Sequence, residues 1–414
     1  MTTNRPSINS ARLWNRLMLM AEIGATAAGG CNRQALTDED AAGRELFMSW
    51  ARDAGCEIRL DAIGNIFARR AGRETSAAPV MTGSHLDTQP TGGKFDGIYG
   101  VLAGLEVLDS LNEANIETEH PIDVVVWTNE EGSRFDTAMM GSAVWSEAMT
   151  LEQAYQLRDL SGASVHSELE RIGHLGPNTS RQPVKAAFEL HIEQGPILES
   201  EGLDVGVVTG VQHMCRYRIH IRGQETHAGP SPMSLRRDPM MAVAKILTGL
   251  YQLADDHSPG ARVTIGYIHA EPGSPNTVPG EVIFTADLRH PEADRYAAML
   301  GACEDIIEAA CSAFGLEGET SRVWQAPGVS FNDECINAVR KAVQNRGYPS
   351  MEMISGAGHD ACNIASVAPI SMIFIPCEDG LSHNEAENIT QAHAAAGANI
   401  LLDAIMECSI AHTG

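Results

Sequence analysis

The stretch 80–97, VMTGSHLDTQPTGGKFDG, limits most strongly what this chain can fold into. Val80-Met81-Thr82 opens it as a short apolar strand, and Gly83 breaks that strand. His85 and Asp87 follow at the strand end. A glycine-rich turn, Gly92-Gly93, then closes on Asp96-Gly97. This spacing can bring an imidazole and a carboxylate to one point, a ligand mixture that zinc, manganese and cobalt all accept. Asp87 is placed to hold the other ring nitrogen of His85 and fix its tautomer. A loop with a surface His and Asp would look the same, so the later segments decide.

Apolar residues make up 43% of the 414 positions, enough for a sizeable core and for two or three domains. The net charge of −25 suits neither nucleic acid nor an anionic membrane, where Lys and Arg must displace counterions. Nine Cys are scattered without a C-x-x-C pair, as expected of free thiols in a reducing compartment. No run reaches membrane-spanning length and no signal-type apolar run opens the chain, so the expectation is a soluble cytoplasmic protein.

Helices are expected over 9–21, 38–54 and 100–112, the last with Val101, Leu105 and Leu108 on its buried side. Strands are expected over 56–61, 64–69, 80–82 and 122–128. Strands alternating with helices predict a layered α/β domain with a mixed sheet. The strand 122–128 runs into Asn129-Glu130-Glu131-Gly132. Two carboxylates at the end of a buried strand suit separate tasks: one on a metal, one free as a general base. A strand over 186–192 ends in His191-Ile192-Glu193-Gln194-Gly195, at the kind of strand end where α/β sites gather.

From about Met214 the order becomes β-α-β-β-α-β, the split βαβ pattern. Residues 213–328 therefore read as an inserted ferredoxin-like domain, dividing a catalytic domain into 1–212 and 329–414. Beyond it, 355–360 is a Gly-rich loop before a helix start, with backbone N–H groups suited to a carboxylate or phosphate. An apolar strand over 370–375 precedes Ser382-His383-Asn384-Glu385.

His85, Asp96, Glu131, His191 and His383 all fall at or just after strand ends. Five ligands around one central carboxylate fit two cations better than one, with Asp96 bridging.

The motifs Gly83-Ser84-His85-Leu86-Asp87-Thr88, Gly93-Lys94-Phe95-Asp96-Gly97, Asn129-Glu130-Glu131-Gly132, Leu190-His191-Ile192-Glu193-Gln194-Gly195 and Ser382-His383-Asn384-Glu385 resemble the M20 metallopeptidase superfamily. Within it they are similar to the hydantoinase/carbamoylase amidases, and the likeness covers nearly the whole chain. His191 separates this branch from peptidase and aminoacylase relatives, which usually carry a carboxylate there.

The resemblance implies two divalent ions, Zn2+ or Mn2+/Co2+. Glu131 and His383 would complete one site and His85 and His191 the other, with Glu130 as general base. It implies that the inserted domain is a lid and homodimerisation module. His227, Asn276 and Arg289 would act on the substrate from it, His227 also on the oxyanion. Gln194 and Gly358 match further substrate contacts. The implied reaction is hydrolysis of an N-carbamoyl-L-amino acid to amino acid, CO2 and ammonia. Allantoate and N-carbamoyl-β-alanine are alternatives that share the carboxylate and the ureido group. A dipeptidase or aminoacylase is disfavoured by His191, and a non-catalytic binding protein by the intact Glu130 and ligand set.

Overall fold

The computed structural model describes residues 5–178 and 180–410. The chain is mixed α/β and divides into two compact units. One runs to Gly210 and resumes at Ser330; the other is Val211–Val329.

Fifteen strands occur among the described residues. In the first unit they are β1 (Glu57–Leu60), β2 (Ile66–Arg70), β3 (Val80–His85), β4 (Ile122–Trp127), β5 (Ala186–Ile192) and β6 (Val205–Val211). The second unit holds β7 (His213–Arg222), β8 (Thr226–His227), β9 (Arg262–Glu271), β10 (Thr277–Val278), β11 (Glu281–His290) and β12 (Glu317–Ala326). β13 (Val329–Ser330), β14 (Ser350–Ser355) and β15 (Ile370–Ile375) follow.

The large sheet has the order β1-β2-β4-β3-β5-β15-β6-β13, with β14 also paired to β6. Its centre, β4-β3-β5-β15, is parallel. Every residue of these four strands is buried, as a parallel sheet covered on both faces requires. Their carboxyl ends therefore lie along one edge, the position where α/β sheets build sites.

The helix Ile98–Glu113 departs from the one-sided burial expected of it: 13 of its 16 residues are buried. It packs against β3 and also against the helices Ser10–Ala21 and Gln391–Ser409. A Cβ on Gly100 would come within 2.2 Å of the Leu190 carbonyl oxygen, so glycine permits the close helix–sheet approach. Thr37 caps the helix Asp38–Asp53, its side chain accepting from the Asp40 N–H. β6 and β14 were not expected from the sequence. The 151–176 region holds two short helices, Leu151–Gln156 and Val165–Arg171.

In the second unit an antiparallel sheet, β12-β7-β11-β9, accompanies the helices Pro239–Asp256 and Ala293–Ala313. Chain order is strand, helix, two strands, helix, strand, with the short β8–β10 pair added. Alternation sets its core: Tyr217, Ile219 and Ile221 of β7 and Phe284, Ala286 and Leu288 of β11 cluster with Ile246, Leu250, Met299 and Ile307. Asp238 and Pro239 start the first helix, Asp238 accepting from the Met240 N–H at 3.0 Å.

Candidate metal centre

Four parallel strands deliver the site. β3 ends on His85, β4 runs into Glu130 and Glu131, β5 carries His191 next to its end, and the segment after β15 carries His383. Asp96 lies between β3 and the helix Ile98–Glu113.

Two candidate cation sets meet at Asp96. Oδ1 of Asp96 faces Nε2 of His191 at 3.1 Å and Nε2 of His85 at 3.6 Å. Oδ2 faces Nε2 of His383 at 3.5 Å, and Nε2 of His383 is 3.2 Å from Oε2 of Glu131. The ligand atoms of His85, Asp96 and His191 lie within 4.8 Å of one another, and so do those of Asp96, Glu131 and His383. Oε2 of Glu130 is 3.5 Å from Nε2 of His85 and belongs to neither set.

Main-chain oxygens orient the imidazoles. Nδ1 of His85 bonds the carbonyl oxygen of Asp87 at 2.9 Å, and Nδ1 of His191 bonds that of Ile192 at 2.9 Å. Nδ1 thus carries the proton in each, and Nε2 is the free donor atom. This corrects the expectation that the Asp87 carboxylate would hold His85. That carboxylate instead accepts the N–H groups of Glu130 and Glu131, both at 3.2 Å, and so fixes the acidic turn. The chain bends back immediately after β3, bringing the carbonyl rather than the side chain to the ring.

Backbone geometry is unusual at this edge. Asn129, Gln194 and His383 all have left-handed φ, at 54°, 57° and 53°. Such strain in non-glycine residues gathers where a site dictates the direction of a side chain. Gly97 has φ 72°, and a Cβ there would fall 2.3 Å from the His85 ring.

The charge balance favours imported cations. Asp87, Asp96, Glu130, Glu189, Asp360 and Glu387 are all buried here. Among the described residues, no ion pair to Arg or Lys reaches any of them. Burial opposes charge on His85, but Glu130, Asp96 and Asp87 outweigh it and raise its pKa well above the ordinary value. Burial likewise opposes charge on Asp96, and His191 and His85 overcome it, holding the carboxyl well below its usual range. Burial pushes Glu130 well above the ordinary carboxylate range, against the pull of His85 and with added repulsion from Asp360 and Glu131. A carboxylate that adjoins both donor sets and belongs to neither is placed to take a proton from water. Oxygen and imidazole donors without thiolate fit zinc, manganese or cobalt.

Gln194 donates from Nε2 to Oδ2 of Asp96 at 2.8 Å, and its buried Oε1 has no hydrogen-bond partner among the described residues. Gly358 sits against Met139, whose main-chain N–H donates to the Glu130 carbonyl at 2.7 Å. The Gly-rich loop does not leave its helix start open: the Ala361 N–H is taken by Oε2 of Glu189 at 2.9 Å.

In the second unit, β8 and β10 bring His227 and Asn276 together. His227 pairs with Thr277, and the Ala228 N–H donates to the Asn276 carbonyl at 3.1 Å. Nδ1 of His227 accepts from the Gly229 N–H at 3.1 Å, so Nε2 carries the ring proton and can donate. Arg289 lies on β11, with Nε on Oδ1 of Asp287 at 2.6 Å.

Sequence reasoning missed Glu387, Ser382, Glu189 and His359. Oε1 of Glu387 accepts the N–H groups of Phe95 and Asp96. Burial, with repulsion from Asp96, pushes its pKa up to about 7. The Ser84 hydroxyl donates to Glu189 at 2.8 Å, and the His359 ring packs edge-on against His191 at 4.6 Å. Ser382 stood inside a recognisable motif and Glu189 inside the strand expected over 186–192; Glu387 lies just beyond a motif and gave no signal.

Residues 81–407 match the family described as Peptidase family M20/M25/M40. The chain is 45% identical over 401 residues to an N-carbamoyl-L-amino-acid amidohydrolase of Rhizobium meliloti, covering 97% of this chain and 96% of that protein. It is 32% identical over 387 residues to an allantoate amidohydrolase of Bacillus subtilis, covering 93% and 94%. A solved amidase of the hydantoinase/carbamoylase family from Burkholderia multivorans superimposes with a TM-score of 0.96 at 50% identity, over 98% of this chain and 99% of that one. No helix among the described residues is long and apolar enough to cross a membrane.

Proposed function

The chain belongs to peptidase family M20/M25/M40, and from that premise we propose that it is a metal-dependent amidohydrolase of N-carbamoyl-L-amino acids. The observation that carries this reading is Asp96 shared between two His-containing donor sets, with Glu130 outside both. His85 and His191 would hold one divalent cation and Glu131 and His383 the other, with Asp96 common to both. When bound, the cations supply Lewis acidity to a ureido carbonyl that nitrogen donation makes a poor electrophile, and they acidify water.

The chain's own residues do the rest. Glu130 takes the proton of the attacking water and returns it to the nitrogen of the departing amino acid. The C–N bond to that nitrogen breaks, and the carbamic acid left behind decomposes to CO2 and ammonia. His227, with a proton on Nε2, donates to the oxyanion. Arg289 grips the substrate carboxylate with a fork of donors that Lys would not match. Asn276, Gln194 and Gly358 complete the substrate contacts.

Residues 213–328 act in this reading as a ferredoxin-like lid through which two chains form a homodimer, and the enzyme works in the cytoplasm. Allantoate is the second reading, favoured by the Bacillus subtilis relative. The test is ammonia release by protein loaded with Mn2+, Zn2+ or Co2+, across N-carbamoyl-L-amino acids, allantoate and ureidopropionate. Release from none of them would overturn the proposal.

A further inference from the structure

Glu387 is buried, lies four positions after His383, and reaches a segment almost three hundred residues away in sequence. Its Oε1 accepts two consecutive amide N–H groups, Phe95 at 2.9 Å and Asp96 at 3.0 Å. Its Oε2 is 3.1 Å from the Ser382 hydroxyl, which also lies 2.7 Å from Oδ2 of Asp96. The Glu387 N–H closes its own turn on the Asn384 carbonyl at 3.0 Å. Oε1 of Glu387 is taken by two amides, and Glu387 has no place in either cation set.

We propose that Glu387 is a positioning residue that locks the Asp96 loop and the His383 turn into one rigid piece. Asp96 is the member common to both cation sets, so a shift of its carboxylate disturbs both at once. Glu387 fixes Asp96 at the main chain, while Ser382 and Gln194 fix it at Oδ2. Carboxylates that ligate metals are usually held by such partners, and losing one costs about 10–100-fold in metal affinity.

Gly93 provides an independent handle. A Cβ there would fall 2.0 Å from the Glu387 carboxyl carbon and 2.1 Å from Oε1. Its φ lies outside the left-handed region that favours glycine, so Gly93→Ala displaces the Glu387 carboxylate without altering it chemically.

The inference rests on the binuclear reading above, and the experiment separates the two. Metal-free wild type, Glu387→Gln, Glu387→Ala and Gly93→Ala are titrated calorimetrically with Mn2+, and circular dichroism and metal-free melting check the fold. Glu387→Gln keeps an oxygen that accepts both amides and should stay within about threefold of wild type. Glu387→Ala and Gly93→Ala should bind both ions about 10–100-fold more weakly. If Glu387→Ala does not fold, Gly93→Ala set against Glu387→Gln carries the comparison. Wild-type binding of two ions matched by Glu387→Ala and Gly93→Ala overturns this inference alone, as does Glu387→Gln falling as far as Glu387→Ala. Wild type that binds no Mn2+ overturns the binuclear reading, and this inference with it.

Discussion

His191 Nε2 stands 3.1 Å from Oδ1 of Asp96, while the opposite oxygen of the same carboxylate faces His383 at 3.5 Å. One side chain therefore serves two donor sets. Removing the cations should release the repulsion among the buried carboxylates around it. Chelation is expected to abolish ammonia release, with Mn2+, Zn2+ or Co2+ restoring it. It should also lower the melting temperature, since ligand at 100 times Kd stabilises by about 2.7 kcal/mol. Identical melting of chelated and reloaded protein would count against the site.

Glu130→Gln should lower turnover by about 10²–10⁴ while metal content stays near wild type, because Glu130 lies outside both donor sets. Elemental analysis beside an ammonia assay checks this. Strong metal loss would mean that Glu130 and Glu131 have exchanged roles.

Arg289→Ala should reduce kcat/KM for carboxylated substrates by roughly 10-fold or more, the loss of a charge-assisted hydrogen bond of about 1.5–3 kcal/mol. An esterified substrate should lose much less. Equal constants for variant and wild type would remove Arg289 from the substrate site.

The parallel centre of the large sheet was legible because β3, β4, β5 and β15 are apolar runs that stop at Gly or polar residues. The ligands stood out because each falls at or just after a strand end. Asp87 was misread because spacing says nothing of how sharply the chain turns after His85. Helix periodicity suggested one buried face for Ile98–Glu113, but neighbours on several sides come from distant sequence. Glu387 was invisible, since a lone Glu in a polar loop has no period and its partners lie near Asp96. β14 was missed because Ser350–Ser355 lacks the β-branched alternation that marks a strand.

Arg44 and Asp40 form a buried pair at 2.8 Å, and Arg44 also donates to the Gly64 carbonyl and the Thr128 hydroxyl. Arg44→Leu leaves the Asp40 carboxylate uncompensated and should cost about 3–5 kcal/mol, read from denaturant unfolding. The double variant with Asp40→Leu should recover much of that loss.

Gly97→Ala combines a left-handed φ of 72° with a Cβ 2.3 Å from the His85 ring. The backbone alone costs about 1–2 kcal/mol, and the clash turns His85 away from Asp96. Expected are a lower melting temperature and weakened metal binding; a variant with unchanged metal affinity would show that the ring can yield.

β6 and β13 are hydrogen-bonded neighbours, with the Phe331 N–H donating to the Thr209 carbonyl at 3.0 Å. The inserted unit thus departs and returns through adjoining lanes of a single sheet. Its two junctions are already side by side, so a short splice between them would leave the strand order of the host untouched. Such an architecture lets the insert lengthen or shorten without moving the parallel strands whose ends carry His85, Glu130, Glu131 and His191.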